Sequence, residues 1–160
     1  MPVARRRRVR RPLAEEGTPP PLSASVARTV RFEEVDQLRM MWHGRYAGWL
    51  EDGREAFGLR YGVRYADFHD HAVIVPLKTL SIDYKRPLRY GETYLITASL
   101  SWSDAALLQF TYAITDAEGR EMTLASTIQL MLSPEGVLLL EHPPFFNDFR
   151  AAWREGTLCP

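Results

Sequence analysis

Four segments after residue 72 alternate larger apolar with polar residues at a period of two, and this alternation limits the available folds more than any other feature of the chain. Leu80, Ile82 and Tyr84 form the first set, and Tyr94, Ile96, Ala98, Leu100 and Trp102 the second. Leu108, Phe110, Tyr112 and Ile114 form the third, and Met122, Leu124, Ile128, Leu130 and Leu132 the fourth. Thr97, Ser99, Gln109, Thr111, Thr127 and Gln129 stand between them. Successive side chains of a strand point to opposite faces, so the even positions are expected on one buried face. Arg89-Tyr90-Gly91, Ser103-Asp104 and Asp116 to Gly119 separate the segments with turns too short for crossovers, which predicts an antiparallel meander.

A sheet with one buried face needs a second layer. Residues 43 to 61 supply it, because Tyr46, Trp49, Leu50, Gly53 and Phe57 are spaced as one side of a helix, with Glu51, Asp52, Arg54 and Glu55 mostly elsewhere on the wheel. A further strand is expected at about Val26 to Glu34. A short C-terminal helix is expected after Pro143-Pro144, through Phe146, Phe149 and Trp153, since proline is tolerated at a helix start. The predicted fold is α+β: an antiparallel sheet of about five strands wrapped around one long helix. With 160 residues, no internal repeat and no second hydrophobic pattern, one domain over 28–160 is expected.

Residues 1 to 27 are of another kind. Six of the 20 basic residues lie in Arg5 to Arg8, Arg10 and Arg11, followed by Glu15, Glu16 and the proline triplet Pro19 to Pro21, a composition expected to be disordered. It has no apolar block of signal-peptide length. The remainder holds 14 basic and 18 acidic side chains, a net of −4, which argues against a nucleic-acid-binding face. No apolar run approaches the ~18 residues of a spanning helix. Cys159 is the single cysteine, which excludes an intrachain disulfide and a multi-cysteine zinc cage and fits a cytoplasmic compartment. His69-Asp70-His71 lacks a clear third ligand and reads as a polar loop. No Gly-x-Ser-x-Gly elbow, phosphate-binding glycine loop or dinucleotide fingerprint occurs.

Chemistry is expected just ahead of the long helix, where Asp36 and His43 stand seven residues apart. An aspartate is ionised at neutral pH and can serve as general base or as nucleophile. Asp36, His43, Gly44, Arg45 and Tyr46 run into Trp49, Leu50, Glu51, Asp52 and Arg54, and Ile82-Asp83-Tyr84-Lys85-Arg86-Pro87-Leu88 is followed by Gly91-Glu92. In these two patches the chain resembles the hotdog-fold thioesterases, the family of 4-hydroxybenzoyl-CoA thioesterase and the short acyl-CoA thioesterases associated with the Tol-Pal cluster. That family's motif reads Asp, six residues, His, then Ala or Gly, Asn and Tyr, entering a helix that often continues Trp-Phe-Glu-Glu-x-Arg, with a Tyr-x-Arg-Pro turn after the first long strand. The resemblance covers about residues 28 to 155.

The resemblance implies an acyl-CoA thioesterase of hotdog fold, with Asp36 as the catalytic carboxylate, nucleophile or general base. The backbone N–H at position 43 corresponds to the family's donor to the thioester oxygen, at a helix start where amides are unpaired and the dipole is positive. The His43 imidazole would orient substrate or Asp36, and Gly44 and Tyr46 join the substrate-binding run. Two departures stand out: Arg39 replaces the usual loop glycine, opening another path for the loop, and Arg45 replaces the helix-start asparagine. Arg39 or Arg45 is a candidate to meet an acidic acyl group or a carrier phosphate, and Lys85, Arg86 and Arg89 are candidates for the phosphates of coenzyme A. No metal or cofactor is required, coenzyme A being part of the substrate and water the cosubstrate. The resemblance further implies a homodimer or homotetramer with the acyl pocket between subunits. An acyl-carrier-protein thioester as substrate, a hotdog dehydratase, which the Asp36 context fits poorly, and a non-catalytic acyl-thioester-binding protein are the alternatives.

Overall fold

The computed structural model describes Val9 and residues 16–158. Five strands form one antiparallel sheet: β1 Leu22–Thr29, β2 Leu77–Tyr84, β3 Thr93–Ser101, β4 Leu107–Thr115 and β5 Glu121–Leu130, in the order β1-β3-β4-β5-β2. Helix α1, Tyr46–Tyr61, lies against the sheet, followed by the short α2, Tyr65–Asp70, and by α3, Pro144–Glu155, near the end of the chain. This is the α+β arrangement that the periodicities predict.

The helix stripe is buried as its spacing requires. Trp49 and Phe57 are fully enclosed, and Tyr46 and Leu50 nearly so. Gly53 marks the closest approach to the sheet, since a Cβ there would stand 2.9 Å from Ile96 Cγ2. Gly62 ends α1 in the left-handed conformation, φ 70°, with its N–H on the Gly58 carbonyl at 2.8 Å. In α3, Phe146, Phe149 and Trp153 are buried, as the sequence predicts.

Three expectations change. First, the meander holds for β3, β4 and β5 alone. Strand β1 pairs with β3 along its whole length, Leu22 opposite Leu100 through Thr29 opposite Thr93, so it takes the edge a β2–β3 hairpin would need. β2 pairs instead with β5 on the far side, and the segment containing Arg89-Tyr90-Gly91 carries the chain across the sheet. Second, β1 runs from Leu22 to Thr29, so the sheet takes in residues 22 to 27 that the composition assigns to the leader, and Phe32–Glu34 is a 3-10 turn. Residues 1–8 and 10–15, where the expected disorder falls, lie outside the described residues.

Third, the phase of β5 is reversed. Phe110 stands opposite Thr127 and Tyr112 opposite Ala125, so the odd residues Thr123, Ala125, Thr127 and Gln129 face α1. A register shift between Ile114 and Thr115 accompanies this change of parity. On β2 the even residues do face the helix side, but this strand is an open edge, with Leu80 and Tyr84 40% and 52% exposed. Arg54 also departs from the wheel reading, being fully buried on α1.

Candidate active site

Asp36 occupies a small loop between the 3-10 turn and the start of α1. The loop is closed by hydrogen bonds from the Asp36 N–H to the Met40 carbonyl at 2.9 Å and from the Arg39 N–H to the Asp36 carbonyl at 3.0 Å. The Asp36 side chain reinforces the same turn, its Oδ1 accepting the N–H groups of Leu38 at 2.8 Å and Met40 at 3.3 Å. The loop is tied to the β2–β3 connection, because the Met41 N–H donates to the Leu88 carbonyl at 2.8 Å and the Tyr90 N–H to the Arg39 carbonyl at 3.2 Å.

Arg39 does not redirect this loop. It adopts φ 58°, the left-handed conformation that a glycine takes readily, and its guanidinium lies 5.6 Å from the centre of the Tyr90 ring. A non-glycine residue held there costs about 1–2 kcal/mol, against about 0.5 kcal/mol for an exposed ring contact and about 0.5 kcal/mol for the entropic penalty of glycine, which leaves a small margin for strain. Arg39→Gly is therefore expected to stabilise the fold by about 0.5 kcal/mol. A urea melt with an unchanged slope checks it, and a lower midpoint would contradict the strain.

Asp36 borders a cleft of about 380 Å³ lined also by Met40, Met41, His43, Tyr46, Tyr84, Lys85, Arg86 and Pro87. The cleft thus brings together Asp36, His43, Tyr46, Lys85 and Arg86 of the residues singled out from sequence. Arg39, Arg45 and Arg89 are exposed and do not line it. Arg45 reaches instead towards the Glu33 carbonyl, at 3.4 Å, and the Arg89 N–H donates to the Tyr94 hydroxyl at 3.0 Å. Gly44 stands beside the cleft under the Trp42 indole, which a Cβ at that position would overlap.

His43 opens a 3-10 turn, His43–Arg45, that continues directly into α1. The first amides of a helix have no intrahelical acceptor, and among the described residues none is found for the His43 N–H. His43, whose main-chain N–H is without an acceptor, and the carboxylate-bearing Asp36 therefore border one cleft. Tyr46 packs edge-on to Tyr84, ring centroids 4.8 Å apart, and burial raises its phenol above the ordinary range, so it is neutral at physiological pH. On the opposite wall Lys85 pairs with Glu121 at 2.6 Å and Arg86 donates to the Glu121 carbonyl at 2.8 Å.

Sequence reasoning missed Met40, Met41, Tyr84 and Pro87 as wall residues. Tyr84 belongs both to the alternating pattern of β2 and to the Tyr-x-Arg-Pro patch, and its edge-strand position exposes it to the cleft. It also missed Glu34, a buried carboxylate that accepts from Trp49 Nε1 at 2.9 Å, Arg28 at 3.0 Å and the Arg31 N–H at 2.9 Å, behind the Asp36 loop.

The model of the thioesterase-like superfamily matches residues 30–135, a span that contains the whole cleft and most of the sheet. The chain belongs to this superfamily. Within it, a Bacillus subtilis protein named "Putative acyl-CoA thioesterase YneP" is 27% identical over 126 residues, 79% of this chain and 91% of that one. Among solved structures, the DHNA-CoA thioesterase of Staphylococcus aureus superposes with a TM-score of 0.73 at 23% identity, covering 84% of this chain and 91% of its own. A second Staphylococcus aureus protein, SAV2348, solved in complex with CoA, gives 0.73 at 16% identity, covering 88% and 87%. The hotdog fold of the thioesterase-like superfamily is thus the fold of this chain. No helix among the described residues is long and apolar enough to cross a membrane.

Proposed function

We propose that this thioester hydrolase cleaves acyl-CoA to a free acid and coenzyme A, with Asp36 as the catalytic carboxylate. The observation that carries the reading is that Asp36 and His43, whose main-chain N–H has no acceptor, line one cleft beside the start of α1. With the thioester oxygen on that N–H, developing negative charge on the oxygen is stabilised by a donor already in place and by the helix N-terminus. Asp36 either takes a proton from water, whose oxygen then attacks the carbonyl carbon, or attacks that carbon itself to give an anhydride that water opens. In both routes the C–S bond breaks, the thiolate leaves with the bonding pair, and water supplies its proton and the new acid oxygen. Lys85 and Arg86 stand on the wall where phosphates of the carrier would approach, and the Bacillus relative's name and the CoA-bound Staphylococcus structure support coenzyme A as that carrier. Within the superfamily the reading favours the 4-hydroxybenzoyl-CoA thioesterase type, acting in the cytoplasm.

The active unit in this reading is a homo-oligomer. The β2 edge leaves Leu77, Leu80 and Tyr84 exposed beside the cleft, and unpaired edges with apolar side chains are surfaces that a second copy covers. Light scattering at micromolar concentration should return at least twice the 18.4 kDa chain mass, and a monomer that still hydrolyses thioesters would overturn the shared site.

The test of function is thiol release from aliphatic, aromatic and dicarboxylic CoA esters by the purified protein, with the matching carrier-protein esters alongside. Tight binding of every ester without release of thiol would replace the enzyme with an acyl-thioester-binding protein.

A further inference from the structure

A buried guanidinium without a hydrogen-bond acceptor lies on α1, about two turns along the helix from the Asp36 cleft. Arg54, on α1, is 1% exposed, and its Nε and both terminal nitrogens have no hydrogen-bond acceptor. Its guanidinium rests between the rings of Tyr65 and Phe110, 4.9 and 4.8 Å from their centres. A nearby carboxylate, Glu51, accepts from the Tyr65 hydroxyl at 2.9 Å. Gln129 donates to that hydroxyl at 2.9 Å and to the Val75 carbonyl at 3.1 Å, which leaves its own Oε1 without a partner. Buried polar groups are nearly always paired, and an enclosed charge without an acceptor is among the costliest arrangements a core can hold. This one presents a fork of N–H donors and a positive charge against a single unmet acceptor.

Two separate measures along the fold connect Arg54 to the cleft. On α1, Tyr46, Leu50 and Arg54 follow at intervals of four, so they share a face and span about 12 Å. On β2, Tyr84, Ile82 and Leu80 share the helix-facing side, opposite Thr123, Ala125 and Thr127 of β5, and span about 13 Å. Tyr46 and Tyr84 line the cleft at one end. At the other end Phe110, Thr127 and Leu80 stand in one row across β4, β5 and β2, and Arg54 rests on Phe110. Leu80 and Tyr84 are 40% and 52% exposed, so the β2 edge of this face is accessible.

We infer that the acyl site extends from the cleft between α1 and β2 and ends at Arg54, which takes a carboxylate at the far end of the acyl group, so that the substrate is the monothioester of a dicarboxylic acid. The inference rests on the thioesterase reading above. A carboxylate matches the planar guanidinium fork with two charge-assisted hydrogen bonds and cancels the buried charge, whereas a neutral hydroxyl would leave that charge uncompensated. Arg39 and Arg45, expected from sequence to meet such a group, lie off the cleft and at the surface. Gln129 closes the same nest from β5.

The experiment compares straight-chain acyl-CoA esters of equal length, spanning about 12 Å and ending in methyl, hydroxyl or carboxylate, with native protein, Arg54→Met and Arg54→Lys. A titration of the free dicarboxylic acid into the same three proteins runs alongside. Native protein is expected to favour the carboxylate ester over the methyl ester by at least about tenfold in kcat/KM, with the difference in KM. Arg54→Met should abolish that preference and the binding of the free acid, and Arg54→Lys should retain part of both, which separates loss of the charge from loss of the fold. No preference in the native protein, a preference for the hydroxyl ester, or equal losses on all esters in Arg54→Met would overturn the inference. If no ester is cleaved while the free acid binds through Arg54, the thioesterase reading fails and the anion site stands.

Discussion

Asp36→Asn is expected to lower kcat for thioester hydrolysis by about three orders of magnitude and to leave the fold intact. The asparagine keeps a side-chain oxygen where Oδ1 accepts from the Leu38 and Met40 amides, so the turn that shapes the loop survives. What disappears is the negative charge and its capacity to hold a proton or form an acyl bond. Asp36→Ala is the harsher variant, because it removes the turn's acceptor as well and should cost about 1 kcal/mol of stability beyond the same loss of activity. Thiol release and urea melts on the two variants separate the effects. His43→Ala should retain part of the activity, because the donor assigned to that position is its main-chain N–H, which the substitution leaves in place. An Asp36→Asn protein that turns over at the native rate would remove the mechanism altogether.

Local spacing made the helix legible. Trp49, Leu50, Gly53 and Phe57 sit where a 3.6-residue period puts one face, and all are buried. The same is true of β3 and β4, whose even residues Tyr94, Ile96, Leu100, Leu108, Phe110, Tyr112 and Ile114 form the core. Strand order was not legible, because it depends on which distant strand claims an edge. Nothing in residues 77 to 92 reveals that β1 already occupies the flank of β3. The phase of β5 was hidden for a related reason: Thr123, Thr127 and Gln129 look like surface residues until the register with β4 turns them towards α1. They face inward opposite a helix that itself carries polar side chains, Tyr46 beside Thr123 and Arg54 on the Phe110 ring opposite Thr127, so helix and strand misled the reading together. At the site, the carboxylate and the helix-start amide were legible as a spacing and Lys85 and Arg86 as candidate cations, while their meeting across one cleft was not. The cleft's other wall comes from residues 84 to 87, which the fold brings from the opposite edge strand.

Glu34→Ala is expected to destabilise the protein by about 3–4 kcal/mol, since it strands one buried donor and leaves a partly buried arginine short of its carboxylate. The Glu34 side chain is 6% exposed and joins three elements, taking Arg28 from β1, the Arg31 N–H from the 3-10 turn and Trp49 Nε1 from α1. Arg28 also lies over the Trp49 ring, 5.1 Å from its centre, and pairs with Asp52 one turn further along the helix. The consequence reaches the catalytic loop, because the Glu34 carbonyl accepts the Trp42 N–H at 2.9 Å and Val35 bridges to Met41, closing the segment that carries Asp36. Glu34→Gln should be milder, at about 1–2 kcal/mol, because the amide oxygen still accepts from Trp49 and Arg28 while the NH₂ opposes the Arg31 N–H and the charge that pairs with Arg28 is lost. Combining Glu34→Gln with Arg28→Met should then cost less than the sum of the two single changes, as expected of groups in one network. Urea melts of the four proteins measure that coupling, and strictly additive losses would show that Glu34 is not what ties the Asp36 loop to the helix.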